Sequence, residues 1–172
     1  PAADLAIAQS QLGHEVRYLC GKNQGADPED CIQGRAARKG LVYDDRLMLT
    51  KHFRLRPACR DLPELKRYIA EFQPDVIHCH QDNAHLLAAL AVGRLAPRPL
   101  LVRTFYEPVF PSSPGRDWLF CRRRTDGLVV VNEAARRRAR GRFRRQPGRV
   151  AVIVPGIDVD HFADRHDLGR LE

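Results

Sequence analysis

The sequence lacks any apolar run of the length that a membrane-spanning helix requires. Such a helix takes about 20 consecutive apolar residues, and no apolar run among the 172 residues approaches that length. The first residues, Pro1-Ala2-Ala3-Asp4, also lack the basic stretch and apolar core that define a signal peptide. From these two absences we expect a soluble polypeptide.

Cysteine is scarce and scattered. An odd, dispersed set with no C-x-x-C pair argues against a disulfide framework and against a structural zinc site. We therefore expect reduced thiols in a cytoplasmic protein. The five cysteines are Cys20, Cys31, Cys59, Cys79 and Cys121.

Acidic residues are too few to balance the arginines, so the formal net charge is +8 and the pI is about 9.7. Nucleic acid, an anionic membrane surface and a phosphorylated substrate are partners that suit a basic protein. Arginine enrichment from a GC-rich genome accounts for the same surplus without any partner. Eight arginines lie between Arg136 and Arg149, on and after a predicted helix, and a solvated helix face is the simplest interpretation of that run.

The chain does contain a regular alternation of helical and apolar segments. Short continuous apolar runs separated by segments of helical periodicity are typical of a parallel sheet covered on both faces. The sequence therefore predicts a doubly wound, Rossmann-like α/β domain. Its main strands are predicted at 75–80, 100–104, 128–131 and 150–154, after a strand at 15–20 and a short one at 46–50. Helices are predicted at 2–12, 61–72 with Asp61 as N-cap, 84–95, 117–123 and 133–143, and residues 22–40 as a loop.

Polar residues follow the predicted strands at the points where they end. In open α/β sheets the ligand lies beyond the carboxyl ends of the strands, so these clusters predict a shared crevice. Capping of the following helices by Asp82 or Asn83 and by Asn132 is the alternative explanation, and one residue can serve both roles. The clusters are residues 80–83, 105–107, 132–133 and 155–158.

Two histidines alternate along one predicted strand, so the imidazoles of His78 and His80 should point to the same face. With His85 nearby, a metal site can be imagined, but no carboxylates or thiolates stand at matching spacing. We therefore expect no metal. His78 is predicted to pack under a helix, and His80 to meet a substrate hydroxyl at the strand end.

Five short stretches carry a resemblance to a known family. The most specific is Pro155-Gly156-Ile157-Asp158, followed by a phenylalanine at position 162. The full set, in order, is 13–16, 74–80, 101–104, 126–133 and 152–162. In order and spacing these stretches resemble the amino-terminal domain of the bacterial, retaining GT-B glycosyltransferases of family 4.

The resemblance implies that residues 1–162 are the acceptor-binding half of a GT-B enzyme and that 163–172 begin the linker. The family's first strand with its glycine-rich loop, and the second domain with its paired glutamates, have no counterpart in the sequence. No G-x-G-x-x-G stretch is present. A nucleotide-sugar donor would bind mainly the second domain, no other cofactor is implied, and the half alone should be inactive.

The resemblance also assigns roles at the strand ends. Tyr106 stands where the family's threonine-x-histidine element places an active-site histidine, so Tyr106 is the catalytic candidate; an aromatic that only lines the crevice is the alternative. A tyrosine is a poorer proton shuttle near neutral pH. A sugar or lipid-linked acceptor of cell-envelope glycan synthesis would contact His80, Asp82, Asn83 and Glu107.

Other functions remain open at this level. A sugar-nucleotide epimerase or a phosphorylase can share the GT-B fold, and a remnant domain that only binds is a further alternative. A nucleic-acid binder is disfavoured because no aromatic residues are interleaved with the arginine run. For the arginine run, the alternative to a solvated helix face is contact with an anionic membrane at its inner face through four basic residues, Arg137, Arg138, Arg144 and Arg145.

Overall fold

The computed structural model describes most of the chain. Its helices and strands alternate, and every strand pair is parallel. The described residues are 1–22, 31–50, 54–93, 95–106, 123–142 and 149–156. In chain order the elements are α1 (Ala2–Gln11), β1 (Tyr18–Leu19), α2 (Ile32–Arg38), β2 (Tyr43–Asp44), α3 (Leu55–Phe72), β3 (Val76–Cys79), α4 (Asp82–Ala91), β4 (Leu100–Phe105), β5 (Gly127–Val130), α5 (Glu133–Arg142) and β6 (Val150–Val152).

The main sheet has four strands in the order β3-β4-β5-β6, and β1 pairs with β2 in a second parallel sheet. The four principal predicted strands are therefore confirmed, as is the Rossmann-like parallel fold. Cys79 lies opposite Arg103 in the register of β3 and β4. This register brings the carboxyl ends of the two strands, and the residues directly after them, to the same edge of the sheet.

Apolar packing between helices and sheet holds these strands in place. In α4, Ala88 and Ala89 are 2% and 0% exposed, and their small side chains allow the helix to lie close to the sheet. Leu101 of β4 is fully buried in the same cluster. In α5, Ala135 and Ala139 pack against β5 and β6. The sheet is thus covered by helices whose buried faces are mostly alanine and leucine.

A polar contact joins the opposite, amino-terminal edge of the sheet. The Asp126 carboxylate accepts hydrogen bonds from Arg98 Nη1 and Nη2 at 2.6 and 2.7 Å and from the Leu101 backbone N–H at 2.9 Å. Arg149 approaches the same carboxylate at 3.7 Å. These charge-assisted bonds lower the pKa of Asp126 and connect the starts of β4, β5 and β6.

Two predictions in the first third of the chain are wrong. Residues 22–40 were expected to form a loop, but α2 lies there and buries Ala36 against Ala6 and Ile7 of α1. The second parallel strand is Tyr43–Asp44 rather than 46–50. Both errors have one cause: α2 contains a glycine and only a small buried face, and β2 is two residues long, so neither has a strong local pattern.

The predicted start of α3 is also wrong. The helix begins at Leu55, so Asp61 lies inside it and is only 3% exposed. The Asp61 carboxylate does not cap its own helix. It accepts hydrogen bonds from the backbone N–H groups of Met48 at 3.0 Å and Leu49 at 3.0 Å. Leu49 has a φ of 37°, a left-handed conformation that the carboxylate helps to hold.

The remaining boundaries differ by a few residues or fall outside the described chain. Helix α4 starts two residues earlier and ends four residues earlier than the predicted 84–95, and β6 ends at Val152. Residues 117–122 of the predicted short helix lie outside the described residues. Within the ranges that the structure describes, no helix combines the length and the apolar character needed to cross a membrane.

Candidate functional site

Two predicted site residues meet at the carboxyl edge of the main sheet. His80 directly follows β3 and Tyr106 directly follows β4. His80 Nδ1 lies 2.8 Å from the Tyr106 hydroxyl, and the two rings stack with centroids 5.8 Å apart. The parallel pairing of β3 with β4 is what brings residues 26 positions apart into hydrogen-bond contact.

A second histidine–hydroxyl contact lies two residues earlier along the same pair of strands. His78 Nε2 is 2.7 Å from Thr104 Oγ1, again across β3 and β4. The ring centroids of His78 and His80 are 4.3 Å apart. The predicted alternation of the two imidazoles onto one face is therefore confirmed, and each imidazole is oriented by a hydroxyl of the neighbouring strand.

The site contains a buried cation that the sequence interpretation missed. Arg103 is 4% exposed, and its Nη2 donates a hydrogen bond to Asp82 Oδ1. Its guanidinium carbon also lies 4.7 Å from the centroid of the Phe105 ring, which is on the same face of β4. A signal was present: Arg103 is the only charged residue in the apolar run 100–105, and arginine is seldom fully buried without a partner.

Electrostatics keep the strand-end histidines neutral. Burial lowers the pKa of His80 to about 4, and repulsion between its imidazolium form and His78, Arg103 and the Pro1 amine adds to that shift. Burial, followed by Arg103, also lowers the pKa of His78. At neutral pH each imidazole therefore has one donor nitrogen and one acceptor nitrogen.

Tyr106 remains protonated under the same conditions. Burial raises the pKa of its phenol, and the nearby Asp4 carboxylate raises it further, against an opposing effect of Arg103. The hydroxyl donates to His80 Nδ1 when the imidazole proton is on Nε2, and accepts from Nδ1 in the other tautomer. The pair thus offers a neutral donor and a neutral acceptor side by side at the sheet edge.

Asp82 and Asn83 occupy the first turn of α4, yet neither caps it. The N-cap is Gln81, and its side chain forms no capping bond. Asp82 is held by Arg103 while its side chain stays 74% exposed. Asn83 Nδ2 donates to the Thr50 carbonyl at 2.7 Å, which ties the loop after β2 to α4. The capping alternative is therefore wrong for these two residues.

The capping alternative is correct for Asn132. Asn132 Oδ1 accepts a hydrogen bond from the Ala135 backbone N–H at 2.7 Å at the start of α5. Glu133 forms an ion pair with Arg136 at 3.2 Å within the same helix. This cluster is accounted for by local helix structure, and we assign it no ligand.

His85 belongs to the protein interior. It is 5% exposed, and its Nε2 lies 2.9 Å from Thr125 Oγ1. Burial and then Arg103 lower its pKa to about 4. Over the described part of the chain, no three histidine, cysteine or carboxylate side chains are grouped as metal ligands would be. Two predicted residues, Glu107 and Asp158, lie outside the described residues.

The comparisons with known proteins agree with this architecture. The chain resembles a crystal structure of a glycosyltransferase from Rickettsia africae ESF-5, with a TM-score of 0.69 and 13% sequence identity. That likeness covers 98% of this chain but 41% of the Rickettsia chain, so this chain spans less than half the length of its structural neighbour. No curated protein matches the sequence. Glycosyltransferase Family 4 matches residues 2–161, nearly the whole chain, and the chain therefore belongs to that family.

Proposed function

We propose that this chain is the acceptor-binding half of a retaining glycosyltransferase, which moves a sugar from a nucleotide-sugar donor to a hydroxyl of its acceptor. The observation that carries the proposal is the His80–Tyr106 pair at the carboxyl edge of the sheet, beside the exposed carboxylate of Asp82. Sites for polyhydroxylated ligands need a few fixed donors and acceptors. The proposal assigns that task to these three residues.

Each of the three has a distinct part in acceptor binding. Neutral His80 and protonated Tyr106 exchange one hydrogen bond, which leaves the other imidazole nitrogen to meet an acceptor hydroxyl. The Asp82 carboxylate accepts bonds from further hydroxyls while Arg103 fixes its orientation. With a pKa near 4, His80 is a weak base, so the pair orients the acceptor and Tyr106 acts as a hydrogen-bond donor.

The donor is expected to bind elsewhere. By family resemblance, a carboxyl-terminal domain with paired glutamates holds the nucleotide sugar, so the 172-residue chain alone should neither transfer nor hydrolyse it. Calorimetry with UDP-glucose and GDP-mannose should accordingly detect no tight complex. A tight complex with either nucleotide sugar would contradict the assignment of this chain to the acceptor.

Acceptor binding is tested directly by NMR. Simple polyols and monosaccharides should shift the His80 imidazole and Tyr106 ring signals, with affinities in the millimolar range, about −4 kcal/mol in binding free energy. Asp82→Asn and Tyr106→Phe should weaken these shifts, whereas Asp75→Asn, an exposed change at the far end of β3, should not. The proposal fails if no polyhydroxylated compound perturbs these signals, or if the Asp82 and Tyr106 variants respond like the Asp75 control.

We also propose that α5 contacts an anionic membrane surface. Ala135 and Ala139 of α5 are buried, while Arg137 and Arg138 are exposed, so basic side chains lie on the outer face of the helix. Ala134 is also exposed, because its position falls outside the stripe that packs on the sheet. Arg144, Arg145 and Phe143 lie outside the described residues.

A further inference from the structure

The imidazole of His78 leans along the sheet towards the candidate site. In the register of β3 and β4, His78 lies opposite Val102. Its Nε2, however, is 2.7 Å from Oγ1 of Thr104, which is two residues further along β4. Thr104 is buried, and a buried hydrogen bond is stronger than one in water. The contact therefore draws the His78 ring towards the carboxyl edge of the sheet and holds it there.

This lean brings the His78 ring against the ring of His80. Side chains two residues apart on a strand start about 6.7 Å from each other. The centroids of the two imidazole rings are nevertheless 4.3 Å apart, with 32° between the ring planes. Burial lowers the pKa of both imidazoles, so at neutral pH the two rings are uncharged and meet without repulsion. The two imidazoles are therefore in direct ring contact.

Two neighbours therefore limit the orientation of the His80 ring. The Tyr106 hydroxyl holds its Nδ1 at 2.8 Å. The χ2 torsion of histidine is intrinsically broad, so one hydrogen bond fixes one ring nitrogen but leaves the plane of the ring adjustable. The contact with His78 restricts that plane. With Nδ1 and the ring plane both held, the direction of His80 Nε2 is fixed before any ligand binds, as a preorganised site requires.

We propose that His78 is a positioning residue of the candidate site: its ring, anchored by Thr104, holds the plane of the His80 imidazole and so the direction of His80 Nε2. In acceptor binding, this nitrogen meets an acceptor hydroxyl; that step rests on the function proposed above. The competing explanation is that His78 only links β3 to β4 through its bond to Thr104. The two explanations differ in whether the ring of His78, or only its hydrogen bond, is needed.

The ring contact is tested first without any acceptor. In the 172-residue chain, NOEs between the ring protons of His80 and Tyr106 report how the His80 ring is oriented. His78→Gln can still bond to Thr104 but has no ring, so it should weaken these NOEs. Thr104→Val removes the hydroxyl at nearly the same volume and should weaken them too. Thr104→Ser, the matched control, keeps the hydroxyl and should retain them. Circular dichroism establishes that each variant is folded.

Binding of sorbitol to the same variants separates this proposal from the one on which it rests. His78→Gln and Thr104→Val should weaken sorbitol binding about 2- to 10-fold, the range that corresponds to one aromatic pair contact, and Thr104→Ser should bind as the native chain does. If sorbitol binds no form of the chain, the proposed function fails, and the NOEs still decide the role of His78. That role is overturned if His78→Gln keeps the native NOEs between His80 and Tyr106. Should His78→Gln not fold, equal NOEs in Thr104→Val and Thr104→Ser overturn it.

Discussion

Arg103 and Asp82 form an ion pair with one partner inside the protein and the other at its surface: their side chains are 5% and 74% exposed. Arg103 therefore acts in two ways. Its guanidinium orients the Asp82 carboxylate at the start of α4, and its positive charge lies close to His78, His80 and His85. Both effects can be measured without knowing the substrate.

Replacing this cation should raise the pKa of the nearby histidines. In Arg103→Met, His78, His80 and His85 lose a repulsive charge, so their pKa values should move up towards the ordinary value, with burial still holding them below it. NMR titration of the imidazole signals measures the change. Arg103→Lys, which keeps the charge, and Arg98→Met, which removes an arginine at the opposite edge, should leave the values near those of the native chain. Unchanged histidine pKa values in Arg103→Met would show that the charge is screened.

Buried neutral histidine should also make stability depend on pH. The pKa of His85 is lowered from 6.5 to about 4, so the unfolded chain binds the proton more tightly than the folded one. Stability is therefore full above pH 6.5 and falls as the pH drops from 6.5 towards 4. At 1.36 kcal/mol per pH unit, His85 contributes about 2–3 kcal/mol to this loss.

Urea unfolding between pH 7.5 and 4.5 measures this dependence. His85→Gln, whose amide can still bond to Thr125, should flatten the curve of unfolding free energy against pH in that window. His14→Gln serves as the control because His14 is exposed. If the unfolding free energy depends on pH with the same slope in the native chain and in His85→Gln, then His85 does not cause that dependence.

Asp61 should be a large contributor to stability. Asp61→Ala leaves the backbone N–H groups of Met48 and Leu49 without their acceptor and should cost about 2–4 kcal/mol in unfolding free energy. Asp61→Asn keeps one acceptor oxygen and should cost less. Urea denaturation provides the measurement, and Asp75→Ala, at an exposed position, should change the unfolding free energy by less than about 0.5 kcal/mol. An equally small effect at Asp61 would mean that water replaces the carboxylate.

The proposed membrane contact predicts binding that is sensitive to salt. Each basic residue near an anionic surface contributes about 1 kcal/mol, and the Debye length shortens as salt is added. Flotation with anionic vesicles should be reduced by changing the four arginines of the α5 region to glutamine: Arg137, Arg138, Arg144 and Arg145. The control variant loses the same charge at four exposed positions outside α5 and should still float with the vesicles. Its changes to glutamine are at Lys39, Arg56, Arg60 and Lys66. Equal flotation of the two variants would show that vesicle binding depends on net charge alone and not on the α5 region.

The main sheet could be predicted because each strand carries its own signal. Residues 128–131 and 150–154 are continuous apolar runs between helical segments, a pattern that is typical of strands in a parallel sheet. The His80–Tyr106 contact was predictable for a related reason, since parallel strands place the residues directly after them at one edge. The sequence alone is sufficient where structure depends on local pattern and on the direction of the strands.

The choice of partners between distant segments could not be predicted from the sequence. Asp61 has the features of a helix N-cap, and only the approach of the 48–49 loop shows that its carboxylate serves another segment. Arg103 stands out in its strand, but its pairing with Asp82 depends on how α4 sits on the sheet. In both cases the decisive contact joins elements whose packing is set by the whole fold.

Strand β4 and the residue directly after it present two sets of side chains on alternate positions. Thr104 and Tyr106 bond to the histidines on one face, while Arg103 and Phe105 contact each other on the other face, where Arg103 holds Asp82. Insertion or deletion of a single residue within 100–102 would exchange the two sets and separate three contacts at once: His78–Thr104, His80–Tyr106 and Arg103–Asp82. Substitution can alter either set independently. Divergence at this site can therefore proceed by amino-acid replacement at fixed strand length, and alignments that open a gap within 100–102 would misplace Arg103, Thr104 and Tyr106.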